Sequence, residues 1–256
     1  MDLELRGKVG IVTGASRGIG RSIAMGLAEE GCNLTICARN DEALQEAAQA
    51  MRAKGVDVVA LAVDMTQETG IKQIVDETMT AFQHIDVLVN NVGASNWKTF
   101  VEHTDEDWQN LIDLNLFAAI RMCRRVVPIM EKQRSGSIIM ISSIWGRELG
   151  GPSSYNTTKA AEIGLAKNLA KELAPKGVRV NTVAPGSILF PGGGWDERQK
   201  ADPEGMAAFV DQNMPFGRFG RPEEVADVVV FLSSGRASLM SGACINVDGC
   251  QSYSLI

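Results

Sequence analysis

The chain has 256 residues, of which 45% are apolar and 22% charged, and its formal net charge is -6 at pH 7. This composition is typical of a soluble globular protein, and the negative charge argues against nucleic acid or an anionic membrane as the main partner. The apolar runs fall short of the ~20 residues of a membrane span. The acidic N-terminus runs directly into a strand, which predicts no secretion signal and a cytoplasmic location.

Strand-like and helix-like segments alternate along the whole chain. Seven Val- and Ile-rich runs are predicted as strands, at 8–14, 33–38, 56–64, 85–91, 136–142, 178–185 and 243–248. Helical patterns separate them, and such apolar strands are typical of a parallel sheet covered on both faces. The sequence therefore predicts an α/β protein: one doubly wound Rossmann domain over 1–256, built on a seven-stranded parallel sheet with helices on both faces.

Residues 187–221 are the one long irregular segment of this pattern. Three consecutive glycines, 192–194, precede Trp195 and the charged run "DERQK". Long loops in compact domains are usually functional, and a glycine hinge beside an aromatic residue is typical of a lid. We expect this segment to close over a substrate.

The cysteines and histidines indicate neither disulfides nor a metal. No C-x-x-C pair occurs among Cys32, Cys37, Cys123, Cys244 and Cys250. We interpret them as reduced and mostly buried thiols. The two histidines, His84 and His103, lack ligand spacing, and no metal site is predicted.

A glycine-rich loop follows the first predicted strand. In "VTGASRGIG", Gly14, Gly18 and Gly20 allow a tight turn, close backbone approach to a pyrophosphate and close helix–strand packing. The helix that follows would offer free N–H groups and a positive dipole end to phosphates. Because the loop lies between a strand and a helix of a βαβ unit, it predicts a dinucleotide site rather than a plain turn.

The G-x-x-x-G-x-G spacing closely resembles the dinucleotide loop of the short-chain dehydrogenase/reductase family. Other motifs match that family in order: Asp64 after the third strand, "NNVG" at 90–93, Asn115 in the long helix, "ISSIWG" at 141–146, "YNTTK" at 155–159 and "PG" at 185–186. The resemblance covers nearly the whole chain. It implies an oxidoreductase that moves a hydride between a nicotinamide and a small ketone or secondary alcohol, and a homo-oligomer, tetrameric or dimeric.

Tyr155 and Lys159 are four residues apart in a predicted helix and so share one face. An amphipathic helix with a snorkelling Lys is one interpretation, and a proton-transfer pair is the other. A free phenol titrates near pH ~10, and bringing it close to neutrality takes ~3–4 kcal/mol. A Lys ammonium ~4 Å away supplies up to about 4 kcal/mol at an effective dielectric of ~20. The magnitudes match, and we interpret the pair as catalytic.

The family resemblance implies the rest of the catalytic set. Asn115 would position a water that relays protons to Lys159, which would also hold the nicotinamide ribose; local helix bonding is the alternative role for Asn115. Ser143 is the predicted catalytic Ser, with its neighbour Ser142 as the alternative. The Ser143 hydroxyl would stabilise the charge that develops on the substrate oxygen.

The resemblance also implies which residues hold the cofactor. They are Gly14, Ser16, Arg17, Gly18, Ile19, Gly20, Arg39, Asp64, Met65, Asn91, Gly93, Tyr155, Lys159, Pro185, Gly186 and Ile188. The family often has a Thr after "PG" that holds the nicotinamide carboxamide, but that place reads Phe190 here. No side-chain contact is predicted there, and the backbone around Ile188 is expected to serve instead.

The end of the second strand decides between NAD(H) and NADP(H). Ala38 replaces the usual acidic residue, Arg39 follows it, and Arg17 lies nearby in the family's geometry. Two guanidinium groups suit a 2′-phosphate, so NADP(H) is predicted over NAD(H), with solvated surface arginines as the alternative. The side chain of Asp41 is expected to cap the next helix.

Three tryptophans, Trp97, Trp145 and Trp195, fall on segments that the family uses around the substrate. They indicate an apolar or ring-containing substrate, with plain packing as the alternative.

Two rival functions stay open. The basic cluster Arg121, Arg124 and Arg125 favours a 3-oxoacyl-thioester reductase that meets an acidic carrier protein, unless the cluster is simply a solvated face. The rival outside the enzymes is a non-catalytic, NADP-binding regulator.

Overall fold

A single parallel sheet organises the protein, whose computed structural model describes residues 2–255. Its strands are β1 Val9–Thr13, β2 Asn33–Ala38, β3 Val58–Ala62, β4 Val87–Asn90, β5 Gly136–Ile141, β6 Val178–Pro185 and β7 Cys244–Val247. Their spatial order is β3-β2-β1-β4-β5-β6-β7, and every neighbouring pair is parallel. The predicted α/β fold on seven parallel strands is confirmed.

Helices cover both faces of the sheet. They are α1 Gly18–Glu29, α2 Asp41–Arg52, α3 Glu68–Phe82, α4 Asp105–Leu111, α5 Ala118–Gln133, α6 Ser153–Leu173, α7 Gly194–Ala201, α8 Pro203–Asn213 and α9 Pro222–Ser233. Apolar residues of α1, α2 and α9 form a core on one face, and those of α3, α5 and α6 form a second core on the other. Consecutive residues of β1 point to opposite faces, so Ile11 enters the second core and Val12 the first. None of the helices within residues 2–255 is long and apolar enough to span a bilayer.

The strand order reverses between β1 and β4, which pair with each other. From this pair, β2 and β3 extend the sheet to one side, and β5, β6 and β7 extend it to the other. At such a switch point the loops at the carboxyl ends of the strands diverge and leave a crevice. The glycine loop follows β1 and the "NNVG" motif begins at the end of β4, so both lie at this crevice.

The long helix before β5 is not uniform. A π-helical segment, Ile112–Phe117, separates α4 from α5 and contains the buried Asn115. Such wide turns occur mostly at functional sites, because they change the direction in which one side chain points. The sequence predicts a single continuous helix here, because the apolar periodicity does not show that the turn at Ile112–Phe117 is wider than an α-helical turn.

The prediction that 187–221 is irregular is wrong, because α7 and α8 lie within it. Asp202 accepts a hydrogen bond from Gly205 N at 2.9 Å and Pro203 occupies the first helical position, so α8 has a well-formed start. No residue of either helix is fully buried. Without a buried face, neither helix has the apolar periodicity by which a sequence reveals a helix.

The expected cap of α2 is also wrong. Asn40 caps this helix, with its Oδ1 accepting from Ala43 N at 3.0 Å. Asp41 is the first helical residue and accepts from Gln45 Nε2 instead. Both residue types are good caps, and the helix starts one residue earlier than the prediction allowed.

The five cysteines are free thiols. Cys32, Cys37 and Cys123 are buried, Cys244 is half-buried and Cys250 is exposed. Burial raises the pKa of each of the three buried thiols to about 12, which makes them unreactive packing residues.

Candidate active site

The glycine loop has no room for a side chain at its turn positions, Gly14 and Gly20. Gly14 has a φ of +69°, and a Cβ at Gly20 would lie 2.3 Å from the Gly14 carbonyl oxygen. Arg17 precedes the first turn of α1 and offers no side-chain cap to it. The N–H groups of that turn therefore have no side-chain acceptor, as a phosphate-binding helix start requires.

The two arginines predicted to select the cofactor both line the cleft. Ala38 ends β2 and is buried, whereas Arg39 is exposed. Arg17 Nη1 donates a hydrogen bond to the carbonyl oxygen of Gly192 at 2.7 Å, which ties the phosphate loop to the start of the predicted lid.

A cleft of about 870 Å³ joins the glycine loop to the predicted catalytic residues. Its lining includes Gly14, Ser16, Arg17, Ile19, Gly20, Arg39, Met65, Asn91, Gly93, Ser143, Tyr155, Lys159, Pro185, Gly186 and Ile188. Three predicted site residues do not line it: Gly18, Asp64 and Asn115. The topology thus brings most of the predicted residues, which come from every part of the sequence, to one cavity.

Gly18 is covered by the ring of Phe190, since a Cβ at Gly18 would lie 2.7 Å from that ring. Asp64 instead holds its own loop: its Oδ1 accepts from the N–H and the hydroxyl of Thr66, both at 2.8 Å. These bonds, with a smaller contribution from Arg39, lower the pKa of Asp64.

Lys159 is buried and its ammonium has an acceptor for each of its three protons. Nζ donates to the Ile141 carbonyl oxygen at 2.8 Å and to the two carboxylate oxygens of Glu162 at 3.0 and 2.9 Å. Nζ also lies 5.8 Å from the centre of the Tyr155 ring. The predicted pair is therefore present, but Lys159 is bonded to a carboxylate that the sequence analysis did not single out.

Glu162 lies one turn beyond Lys159 on α6 and is equally buried. Burial raises the pKa of Glu162 to about 7, although Lys159 opposes this shift. For Lys159, burial acts to lower the pKa, but attraction to Glu162 and Tyr155 outweighs it and the pKa is raised. The i, i+3 spacing of Lys and Glu was a signal available in the sequence; their burial was not.

The two candidate serines differ in what their hydroxyls do. Ser142 Oγ donates to the carbonyl oxygen of Lys159 at 2.8 Å, so its proton is already used. Ser143 Oγ accepts from Trp145 N at 3.1 Å, and its own proton remains available to a ligand. This difference supports Ser143 as the serine that contacts the substrate.

Asn115 fixes the loop after β4. Its Oδ1 accepts from Ala94 N at 2.8 Å, and its Nδ2 donates to the Ala94 carbonyl at 2.9 Å and to Thr158 Oγ1 at 3.0 Å. These bonds link the π-helical segment to α6 beside Lys159. The side chain therefore holds the loop after β4 against α6.

His103, which the sequence analysis set aside, helps to hold the start of α6. Its Nδ1 lies 3.0 Å from the Thr99 carbonyl oxygen, which can only accept, so Nδ1 carries the proton. Its Nε2 lies 3.0 Å from the hydroxyl oxygen of the buried Ser154, within hydrogen-bond distance. This bond fixes the residue directly before Tyr155.

The three predicted tryptophans meet at the mouth of the cleft. The Trp145 ring lies edge-on to Tyr155, with 6.2 Å between the ring centres. The centre of the Trp145 ring is also 5.6 Å from that of Trp97 and 6.5 Å from that of Trp195. Trp145 lies so close to the loop before α6 that a Cβ at Gly150 would be 2.2 Å from its indole. Trp145 therefore gives an aromatic surface beside Tyr155, and Trp97 and Trp195 pack against Trp145.

Arg198 of α7 stacks on this aromatic mouth. Its guanidinium carbon lies 3.9 Å from the centre of the Trp97 ring and 5.1 Å from that of Trp195. Sequence reasoning missed Arg198 because Trp97 and Arg198 are a hundred residues apart and α7 itself was not predicted.

The basic cluster on α5 is partly neutralised. Arg121 pairs with Asp113 at 3.6 Å and also donates to the Thr66 carbonyl oxygen, and Arg125 pairs with Glu68 at 2.9 Å. Arg124 is exposed. Only one of the three is thus left as a fully exposed cation.

Comparisons with known proteins agree with this architecture. A family model described as Enoyl-(Acyl carrier protein) reductase matches residues 14–251. The 3-oxoacyl-(acyl-carrier-protein) reductase FabG of Staphylococcus epidermidis is 37% identical over 245 residues, which cover 94% of this chain and 98% of that protein.

Two solved structures, matched over essentially their whole length, are informative about ligands. L-sorbose reductase from Gluconobacter frateurii, complexed with NADPH and L-sorbose, is 37% identical, with a TM-score of 0.94 and full coverage of both chains. A 7α-hydroxysteroid dehydrogenase complexed with NADH and 7-oxo glycochenodeoxycholic acid is 31% identical, with a TM-score of 0.91, covering 100% of this chain and 98% of that one.

Proposed function

The chain belongs to the short-chain dehydrogenase/reductase family, and from this premise we propose an NADP(H)-dependent enzyme that interconverts a ketone and a secondary alcohol. Membership makes the protein an oxidoreductase of carbonyl or alcohol groups. The finer proposal rests on one observation: Ser143, Tyr155 and Lys159 line the same cleft as the glycine loop. A proton donor and a dinucleotide loop in one cavity are what carbonyl reduction requires.

The residues present fit NADP(H). The glycines at positions 14 and 20 and the uncapped start of α1 suit a pyrophosphate. The solved relatives were bound to NADPH in one case and to NADH in the other. The choice therefore rests on Arg17, Arg39 and Ala38, which offer two positive charges and no carboxylate at the end of β2.

Ser143, Tyr155 and Lys159 have separate roles at the carbonyl oxygen of the substrate. When bound, NADP(H) supplies the hydride. The free proton of Ser143 makes a hydrogen bond to the oxygen, and the Tyr155 hydroxyl gives it a proton. The Lys159 ammonium stabilises the phenolate that results. All three Lys159 protons already have acceptors, so Lys159 must break one of these hydrogen bonds before it can donate to a ribose hydroxyl.

A second candidate is reduction of a 3-oxoacyl thioester. The similarity to a 3-oxoacyl-(acyl-carrier-protein) reductase favours it. The partial neutralisation of Arg121 and Arg125 within the fold weighs against α5 as a docking face for an acidic carrier.

The test is a substrate panel followed by the nicotinamide absorbance. It should contain aliphatic, aromatic and sugar ketones together with 3-oxoacyl thioesters of coenzyme A and of acyl-carrier protein. Oxidation of NADPH by free ketones supports the first candidate, and turnover confined to thioesters supports the second. Tight NADPH binding with no turnover of any substrate would instead favour the non-catalytic regulator.

The assembly expected from the family resemblance is a cytoplasmic homo-oligomer, tetrameric or dimeric. Large apolar side chains near the β7 edge of the sheet are exposed, among them Leu239 and Tyr253. Burying them between copies of the chain would favour association. Light scattering of the purified protein gives the stoichiometry directly.

A further inference from the structure

The charge of the cleft is the opposite of the charge of the protein. The chain carries a net charge of -6, yet no Asp or Glu occurs among the described residues that line the cleft. Four cationic residues line it: Arg17, Arg39, Lys159 and Arg198. A cavity with this lining concentrates anions from solution.

Three of the four cations already have a role. Arg17 and Arg39 lie at the glycine-loop end and are assigned to the cofactor phosphate, while the charge of Lys159 is balanced by Glu162 at 2.9 Å. Arg198 lies at the other end, on the tryptophan mouth beside Tyr155. Arg198 is therefore the cation at the end of the cleft where the substrate is expected to bind.

The guanidinium of Arg198 contacts two aromatic rings, but its N–H groups have no hydrogen-bond acceptor among the described residues. Its guanidinium carbon lies over the rings of Trp97 and Trp195, and these contacts use none of its N–H groups as hydrogen-bond donors. Across the part of the chain that the structure describes, its guanidinium has neither a carboxylate partner nor a hydrogen-bond acceptor. Asp196, two residues earlier, instead accepts from Lys200 and from Gly192 N.

We propose that Arg198 binds an oxyanion of the substrate, so that the enzyme acts on carbonyl compounds that carry a carboxylate or phosphate group. The proposal rests on the carbonyl-reducing function put forward above. A fixed guanidinium with its N–H edge free matches the geometry of these anions and binds them through two parallel hydrogen bonds. The indole faces of Trp97 and Trp145 then cover the apolar part of the substrate between the anion and the carbonyl.

The experiment compares matched substrate pairs in the purified enzyme with NADPH. One pair is an oxo acid and its methyl ester, and the other is a phosphorylated ketone and the corresponding hydroxyketone. We expect kcat/KM to be about ten- to hundred-fold higher for the charged member of at least one pair, through KM, as charge-assisted hydrogen bonds predict. The pair that shows the preference identifies carboxylate or phosphate as the anion.

The variant Arg198→Gln should bring the charged-to-neutral ratio close to one. The matched control is Lys200→Gln, which removes a positive charge from the same helix but outside the cleft, and should keep the wild-type ratio. Equal kcat/KM for both members of each pair in the wild type, or the same ratio in Arg198→Gln as in the wild type, would overturn the proposal.

Three outcomes distinguish a failure of the Arg198 proposal from a failure of the proposed function. If Arg198→Gln weakens NADPH binding ten-fold or more, Arg198 serves the cofactor and the proposal is wrong. If the wild type binds NADPH but reduces no ketone, charged or neutral, the proposed function itself fails. Turnover of neutral ketones without any preference for the anion overturns only the role of Arg198.

Discussion

Both carboxylate oxygens of Glu162 accept hydrogen bonds from the Lys159 ammonium, at 3.0 and 2.9 Å, one turn along α6. Each side chain is buried, so neither charge is screened by solvent. A buried ion pair adds little net stability, but removal of one partner leaves the other charge uncompensated. The active-site lysine is thus bound to the fold through a residue outside the proposed catalytic set.

This pair predicts a specific dependence of stability on pH. Burial raises the pKa of Glu162 to about 7 in the folded protein, above the 4.5 of the free side chain. Between these values the folded state holds more protons than the unfolded state, so the Glu162 contribution to stability falls as the pH rises. The unfolding free energy of the wild type relative to Glu162→Gln should therefore fall as the pH rises from 4.5 to 7 and level off above that.

Chemical denaturation at several pH values measures this difference. Glu172→Gln is the control, because Glu172 lies on the same helix but is exposed, and its difference from the wild type should stay within about 0.5 kcal/mol. A wild-type curve that runs parallel to the Glu162→Gln curve throughout this pH range would show that Glu162 is ionised in the fold at all these pH values.

The serine assignment is tested by two single substitutions. Ser143→Ala removes the hydroxyl whose proton is free to bind the carbonyl oxygen, and kcat should fall by about 10²-fold or more. Ser142→Ala removes only a hydrogen bond to the Lys159 backbone and should reduce stability by about 1 kcal/mol, with a smaller effect on kcat. The opposite order of the two kcat values would transfer the role to Ser142.

Cofactor choice depends on the end of β2. Pairing of Arg39 with a 2′-phosphate should make NADPH bind at least ~10-fold more tightly than NADH, and added salt should reduce this advantage. The double variant Ala38→Asp with Arg39→Leu should reverse the preference, since it adds repulsion and removes attraction. Fluorescence titrations at two salt concentrations give both numbers. Equal wild-type affinities would mean that Arg39 remains solvated.

We expect α7 and the loop before it to form the moving part of the predicted lid. The contacts that hold this segment to the cleft include the Arg17 bond to Gly192 and the aromatic contacts of Trp195. We expect faster amide hydrogen exchange over 187–201 in the free protein and slower exchange with NADPH, while the amides of β5 stay protected in both. Strong and equal protection of 187–201 in both states would argue for a fixed wall.

Sequence reasoning was most successful where the chemistry is local. The alternation of strands and helices predicted the sheet, and the four-residue spacing of Tyr155 and Lys159 predicted the shared face. The loop spacing placed Gly14 and Gly20 correctly, because a side chain at Gly20 would collide with the Gly14 carbonyl and Gly14 has a positive φ.

What the sequence did not predict depends on contacts between distant segments. The stacking of Arg198 on Trp97 requires α7 to fold back over the loop after β4. The position of Phe190 over Gly18 and the π-helical segment at Asn115 likewise follow from packing rather than from periodicity. The Glu162–Lys159 pair has a helical spacing, but only its burial distinguishes it from an ordinary surface ion pair.

The most direct test of the account is NADPH oxidation by Tyr155→Phe, measured beside the wild type on the ketone that the panel identifies. The substitution removes the proton donor but keeps the ring that packs against Trp145, so the fold and NADPH affinity should be preserved. We predict that kcat falls by at least ~10²-fold, the low end for general acid–base catalysis. Turnover close to the wild-type rate, in a variant that binds NADPH normally, would contradict the central claim that Tyr155 delivers the proton.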